Sequence, residues 1–195
     1  MRKLLLILIL CVPGFTGFIP DESLKSERTN GPPGFIDITV FSNIDKQFFQ
    51  YILKQQCLPF TGGYKTGYAL DTSFTRIVIP VKEFRCTNKS AYKDFLKLLK
   101  AEQYPNLEIY IPHYSNVNND KKDSVVLKGV SIIVAGVTKR YDINCKIDKS
   151  GNDNKILNGT TGIKLTDLDI VPPVKLFGIV KVKNEISIDF EFCVK

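Results

Sequence analysis

Hydrophobic and polar positions begin to alternate at residue 35 and keep doing so, with one interruption, to the end of the chain. Ile36, Ile38 and Val40 are separated by Asp37 and Thr39, the period-two pattern of a half-buried strand, so the folded part is expected to begin near Phe35. Residues 44–56 support two readings. Phe48, Phe49, Ile52 and Leu53 fit one face of a helix, whereas Ile44, Lys46, Phe48, Gln50 and Ile52 follow a strand's period. Thr75 to Phe84 predicts a strand, with the β-branched run Ile77, Val78, Ile79 ended locally by Pro80.

The interruption is a helix. Ala91, Tyr92, Phe95, Leu96, Leu98 and Leu99 recur at helical spacing, Thr87 or Asn88 supplies a cap, and Lys97 and Lys100 suit the negative C-terminal end. Pro105 obliges it to stop by Gln103 or Tyr104. No partner helix of similar strength exists in the chain, so its apolar stripe is expected to lie on or across the end of a sheet. The rest reads as strand: Leu107, Ile109 and Ile111; a polar loop from His113 to Ser124; an apolar run from Val125 to Val137; then Tyr141, Ile143, Cys145 and Ile147 alternating with polar residues. A turn at Ser150 to Asn154 leads to Thr161, Ile163 and Leu165, and a last pair of strands carries Val180 and Val182, then Ile186, Ile188, Phe190, Phe192 and Val194. Six to eight strands with short connections and one helix predict an antiparallel barrel or sandwich, closure being one way to remove exposed edges.

Composition narrows the picture. At 195 residues and 44% hydrophobic content, with 13 Phe and 8 Tyr, the chain suits one domain with a sizeable core, and no repeat or second boundary is evident. Arg2 and Lys3, the apolar run Leu4 to Val12 and the small residues Gly14, Thr16 and Gly17 read as an export signal over residues 1–17, too short to span a bilayer. Cys11 invites a lipoprotein reading, but Leu10 stands where a small residue is expected, and cleavage with release is preferred. Residues 18–34, rich in Pro, Gly and polar residues, read as a flexible leader ahead of a domain over 35–195. Without Arg2 and Lys3 the net charge falls from +7 to +5. That basicity is spread along the chain and reads as a solvated surface, or as weak attraction to anionic lipid. Aromatic and basic residues are not interleaved, which argues against a nucleic-acid platform.

The candidate chemistry is sparse. His113 is the only histidine, which excludes a zinc site built on two or three imidazoles of one chain. It stands in a polar loop with no nucleophile signature and reads as a surface residue. Gly62 and Gly63 lack the lysine and the strand-to-helix context of a phosphate cradle. Asp167 and Asp169 would share a face if they lay on a strand, as paired catalytic carboxylates require, but capping a turn is the better reading. Asn88 with Ser90 and Asn158 with Thr160 match the glycosylation pattern, which matters only in a eukaryotic secretory route. No catalytic residue, metal or cofactor is expected. Loss of Cys11 leaves Cys57, Cys86, Cys145 and Cys193, enough for two disulfides in three possible arrangements. Cys145 shares a face with Ile143 and Ile147 whereas Cys193 opposes Phe190 and Phe192, which argues against a bond between those two; Cys145 reads as a small interior hydrophobe.

Three blocks, in their order and spacing, resemble the YceI-like family, lipocalin-like barrels of bacterial envelopes, several of which hold a polyisoprenoid or related apolar lipid. The first runs from Ile79, Pro80 and Val81 through Asn88 and Asp94 to Lys97, ending at Tyr104, Pro105, Asn106 and Leu107. The second is Val130, Ile132 and Val134 followed by Gly136, Val137, Thr138 and Lys139. The third, the most specific, is Gly162 to Asp167, then Ile170 to Pro173, then Leu176 to Ile179 with Lys181 and Val182. Ser42 and Asn43 are weakly similar to an early serine-asparagine strand. The blocks cover roughly residues 35–195; the chain departs from the commoner pattern between Phe41 and Thr75 and in its four cysteines. The resemblance implies an all-β fold with one or two helices, an eight-stranded antiparallel barrel with a helix packed against it, in a periplasmic protein.

A barrel of that size either fills with side chains or holds one slender ligand. If the alternating apolar face turns inward, the lining comprises Leu107, Ile109, Ile111, Ile132, Val134, Ile143, Cys145, Ile147, Ile163, Leu165, Ile186, Ile188, Phe190 and Phe192, with no charge among them. Burying a five-carbon isoprene unit contributes up to about 4 kcal/mol, so three or four units offset much of the ~4 to 15 kcal/mol cost of association. The expected function is non-catalytic binding or transport of an isoprenoid- or quinone-like lipid by a monomer or homodimer, with transient contact at a membrane surface. The alternative is a solidly packed barrel acting as an envelope interaction or stress-related module.

Overall fold

The computed structural model describes residues 34–54, 57–58, 74–112, 124–150 and 154–194. The signal segment, nearly all of the leader, Gly62, Gly63 and His113 lie outside the described residues. The elements are β1 (Phe35–Ser42), β2 (Lys46–Ile52), β3 (Phe74–Pro80), α1 (Lys89–Leu98), β4 (Asn106–Pro112), β5 (Ser124–Val134), β6 (Val137–Ser150), β7 (Asn154–Lys164), a two-residue β8 (Val174–Lys175) and β9 (Val180–Val194). The sheet runs β2-β1-β9-β7-β6-β5-β4-β3, antiparallel throughout, and β8 pairs only with β9. It curls so that the inward side chains of its eight long strands meet in one apolar core, the all-β lipocalin-like arrangement expected.

Two local expectations are corrected. Within the two-way segment 44–56, Lys46–Ile52 is strand β2, and its inward residues are Phe49 and Tyr51, which neither sequence reading put together on the core side. Register explains it: Phe49 faces Ile38 of β1, whose side chain is inward. The last pair of strands is instead one 15-residue strand, β9, whose register against β1 slips between Val40 and Ser42. The turn reading of the two aspartates holds: Asp167 lies in a 3-10 turn (Leu165–Leu168) and Asp169 follows it at φ 54°.

The ladder does not close by a full pair of strands. β2 and β3 are its two edges, and they meet through the residues after β3: the Gln50 N–H donates to the Arg85 carbonyl at 2.9 Å, and the Arg85 N–H donates to the Gln50 carbonyl at 2.7 Å. Lys54 Nζ also lies 2.8 Å from Glu83 Oε1 beside these two bonds, and behind them sit four aromatic rings. Phe49 of β2 stacks on Phe95 of α1 with centroids 4.3 Å apart, Phe84 meets Phe95 edge-on at 5.3 Å, and Tyr51 lies 5.7 Å from Phe84. The helix therefore docks across an open end of the sheet, as its lone apolar stripe suggested.

Its boundaries follow local chemistry. Asn88 Oδ1 accepts from the Ser90 and Ala91 amides, both at 3.0 Å, satisfying two of the first-turn donors. At the other end Lys100 turns left-handed (φ 50°) and the Ala101 N–H donates to the Leu96 carbonyl at 2.9 Å, stopping the helix well before Pro105 requires it. Ala135 and Gly136, at φ 50° and 83°, form the two-residue turn joining β5 to β6. A Cβ on Gly136 would lie 2.7 Å from the Tyr104 ring, so Tyr104 and the Gly136–Lys139 block, two parts of the family resemblance, pack on each other.

At the opposite end, Cys57 and Cys193 form a disulfide with Cα atoms 4.5 Å apart, and the Leu58 N–H donates to the Cys193 carbonyl at 2.8 Å. Cys86 and Cys145 are free.

Candidate functional site

The interior is hollow at the helix end and nearly full at the other. The hollow is a cavity of about 570 Å³, within the range of roughly 300 to 1,000 Å³ usual for small-molecule sites. Its deep wall is built by strand alternation: Ile38 and Val40 of β1, Phe49 of β2, Leu107 of β4, Ile132 and Val134 of β5, Ile163 of β7, and Val182, Ile186 and Ile188 of β9. Ala91, Phe95, Leu98 and Leu99 of α1 close one side, and Leu165, Leu168 and Ile170 another. Every one of these side chains is apolar. Among the described residues, charge enters the lining only as Asp45, Asp94 and Lys175. Lys175 Nζ lies 2.8 Å from Asp94 Oδ1, with both side chains exposed to 48% and 39%, a surface pair worth at most about 1 kcal/mol. The mouth is framed by the β1–β2 turn (Ser42, Ile44, Asp45), the start of α1 and the Pro173–Leu176 stretch.

Below this cavity a second, wholly apolar space of about 50 Å³ remains, lined by Ile109, Ile111, Ile143, Phe190 and Phe192 among others. Ile38, Leu107, Ile132 and Ile188 border both spaces and form the floor between them. Bulk explains why so little is left. The Phe190 and Phe192 rings stack at 5.2 Å, and Phe190 lies over Gly159, where a Cβ would come within 2.8 Å of the ring.

The residues expected to line the lumen therefore divide. Leu107, Ile132, Val134, Ile163, Leu165, Ile186 and Ile188 reach the large cavity. Ile109, Ile111, Ile143, Phe190 and Phe192 reach only the small one. Cys145 and Ile147 line neither of these two spaces: they follow Ile143 toward the filled end, where Cys145 pairs with Val125 and is sealed. Burial pushes the Cys145 thiol up to about 12, consistent with a small hydrophobe rather than a nucleophile. Missing from the expected set are the walls from β1, β2 and α1. Ile38 and Val40 carried the alternation signal and Phe95 the helical one, but neither signal tells which end of a barrel stays empty.

Among the described residues no group of three His, Cys, Asp or Glu is placed to hold a metal ion. None of the described helices is long and apolar enough to cross a membrane. The cavity's few polar groups stand at the rim, and its depth offers only contact area. Such a site can extract an apolar chain from water at no cost in unpaired polar groups.

No protein-family model matches the sequence, and no curated protein matches it. Solved structures do. A polyisoprenoid-binding domain from Saccharophagus degradans implicated in plant cell wall breakdown superposes with a TM-score of 0.57 at 10% identity, covering 84% of this chain and 94% of that one. BcnA of Burkholderia cenocepacia gives 0.55 at 11% identity, over 82% of this chain and 96% of its own. A Campylobacter jejuni YceI protein gives 0.54 at 13% identity, over 99% and 97%. At these identities the likeness establishes a shared fold, the YceI-like curled sheet, and nothing about ligand.

Proposed function

We propose that this chain binds and carries one apolar, chain-like lipid of the isoprenoid or quinone type in the periplasm, without changing it chemically. The 570 Å³ cavity carries the reading: its depth is formed by apolar side chains and its charges stand at the rim. The volume corresponds to about twenty chain atoms at roughly 30 Å³ each. That is the length of about four isoprene units, enough to offset the cost of association at ~0.8 kcal/mol per buried carbon group. The polyisoprenoid-binding domain with the same fold supports the choice of ligand class. Among the described residues the charged groups at the cavity are Asp45, Asp94 and Lys175, and Asp94 is engaged by Lys175.

The test is native mass spectrometry of protein purified gently from its own host, beside an Ala91→Trp variant. Ala91 is partly exposed on α1 and lines the mouth, so the larger ring fills space without entering the packed core. A discrete lipid mass on the wild type that the variant lacks is expected. Bare polypeptide from both overturns the proposal. The alternative, a barrel without a ligand that acts through its surface, draws on the far end of the interior, where only about 50 Å³ is open. It predicts the bare polypeptide.

A further inference from the structure

The rim of the cavity carries the most exposed apolar side chains among the described residues. Phe177 is fully exposed at 108% and Val171 is 81% exposed, with Val174, Leu176 and Ile179 also exposed within the same nine residues; Ile44 of the β1–β2 turn joins them. The turn and the loop are held together. The Asn43 side chain donates to the Ile179 carbonyl at 2.9 Å and accepts from the Lys181 N–H at 2.7 Å, and Val174 pairs with Lys181 across β8 and β9. Scattered exposed hydrophobes need no explanation, whereas a cluster of six on one rim does.

The backbone holds the tip outward under strain. Leu176, Phe177 and Gly178 are consecutively left-handed, at φ 49°, 53° and 95°, a conformation that costs the first two residues and costs glycine nothing. A loop with no use for this tip could relax and fold Phe177 inward. Lysines surround the cluster: Lys175 and Lys181 on β8 and β9, and Lys97 and Lys100 across the groove that Val171 and Pro173 line. The acids nearby are Asp45, Asp169 and Asp94, and Asp94 is engaged by Lys175.

We propose that this rim docks on an anionic lipid bilayer, with Leu176 and Phe177 seated among the acyl chains and the lysines on the headgroups. Charge complementarity favours that occupant, since long lysine side chains can keep their ammonium groups at a phosphate layer while apolar neighbours go deeper. The connectivity favours it too. Phe35, Ile52, Phe74, Pro112, Ser124, Ser150 and Val194, where described strands meet the rest of the chain, all lie at the end opposite the rim, so no strand of the sheet breaks off beside it. The surface that docks surrounds the opening of the apolar cavity, yet docking does not depend on what the cavity holds.

Co-sedimentation of the purified protein with vesicles tests the inference. Vesicles of equal parts phosphatidylcholine and phosphatidylglycerol should bind it, pure phosphatidylcholine much less, and raised salt should weaken the mixed-vesicle binding. L176S/F177S changes exposed side chains only and should lower the mixed-vesicle partition at least about tenfold, the effect of withdrawing one Phe-sized group from an apolar phase. K181E should lower it less and reduce the salt dependence. Ile132→Phe, which narrows the cavity from its buried floor, should leave it unchanged even where it displaces the ligand, which separates this inference from the proposed ligand. Failure of the wild type to bind mixed vesicles, or binding that survives both rim variants, overturns it. A wild-type dimer that L176S/F177S makes monomeric overturns it in favour of a second copy of the chain.

Discussion

A cavity of fixed depth makes a quantitative demand on any chain that enters it. Each methylene transferred from water to an apolar lining contributes about 0.8 kcal/mol, roughly a fourfold gain in affinity per carbon. The gain should continue only while carbons enter, and 570 Å³ accommodates about twenty chain atoms. In a series of straight-chain primary alcohols competing with a fluorescent apolar probe, log affinity should rise with length and level off near that number. The slope is an upper bound, because long alcohols already coil in water. Ala91→Trp should bring the plateau to shorter chains without altering the slope before it. An affinity indifferent to length, or one that climbs unabated far beyond twenty atoms, would refute the premise that burial in this cavity drives binding.

Other outcomes follow from the framework around the cavity. The Cys57–Cys193 bond spans 136 residues, so replacing both cysteines should cost up to about 5 kcal/mol of unfolding free energy on the chain-entropy estimate, read as a fall in the urea midpoint. Gly136→Ala should destabilise by about 2 kcal/mol or more, because the methyl group meets Tyr104 and the backbone is left-handed; adding Tyr104→Ala should recover the steric part only. Asn88→Ala should cost about 1 kcal/mol by uncapping α1, measured by thermal melting. Cys145 is protonated in the fold up to about pH 12 but ionises near its ordinary value when unfolded, so its share of stability is complete below pH 9.0 and declines as pH rises toward 12. Iodoacetamide at pH 8 should therefore label half-buried Cys86 while Cys145 reacts only as fast as the protein opens.

Alternation made most of the sheet legible from sequence, because strands with one face in a core and one in water must alternate. It failed at β2, where water wets neither face cleanly: Phe49 and Tyr51 point inward, yet Gln50 on the other face is buried as well, at the bridge to Arg85. The helix was legible in spacing and cap, but its stop was not, since a lysine rather than a glycine adopts the left-handed turn at position 100. The cavity's place was the least legible feature. Periodicity says which side chains face inward, whereas the space left over depends on how Phe190 and Phe192 stack at one end and how Phe95 props α1 above the other. The strained tip at Leu176 and Phe177 announces itself only by Gly178 beside it.

The meeting of Gln50 with Arg85 is where the sheet is expected to open first. Elsewhere neighbouring strands share ladders of bonds, whereas among the described residues the margins here are joined by the two Gln50–Arg85 backbone bonds, the Lys54–Glu83 ion pair and a cushion of rings. Parting them would loosen the wall beside the Phe49–Phe95 stack without unzipping a strand. A guest too stout for the resting chamber would thus have somewhere to push, and amide exchange at those two residues would report the yielding first.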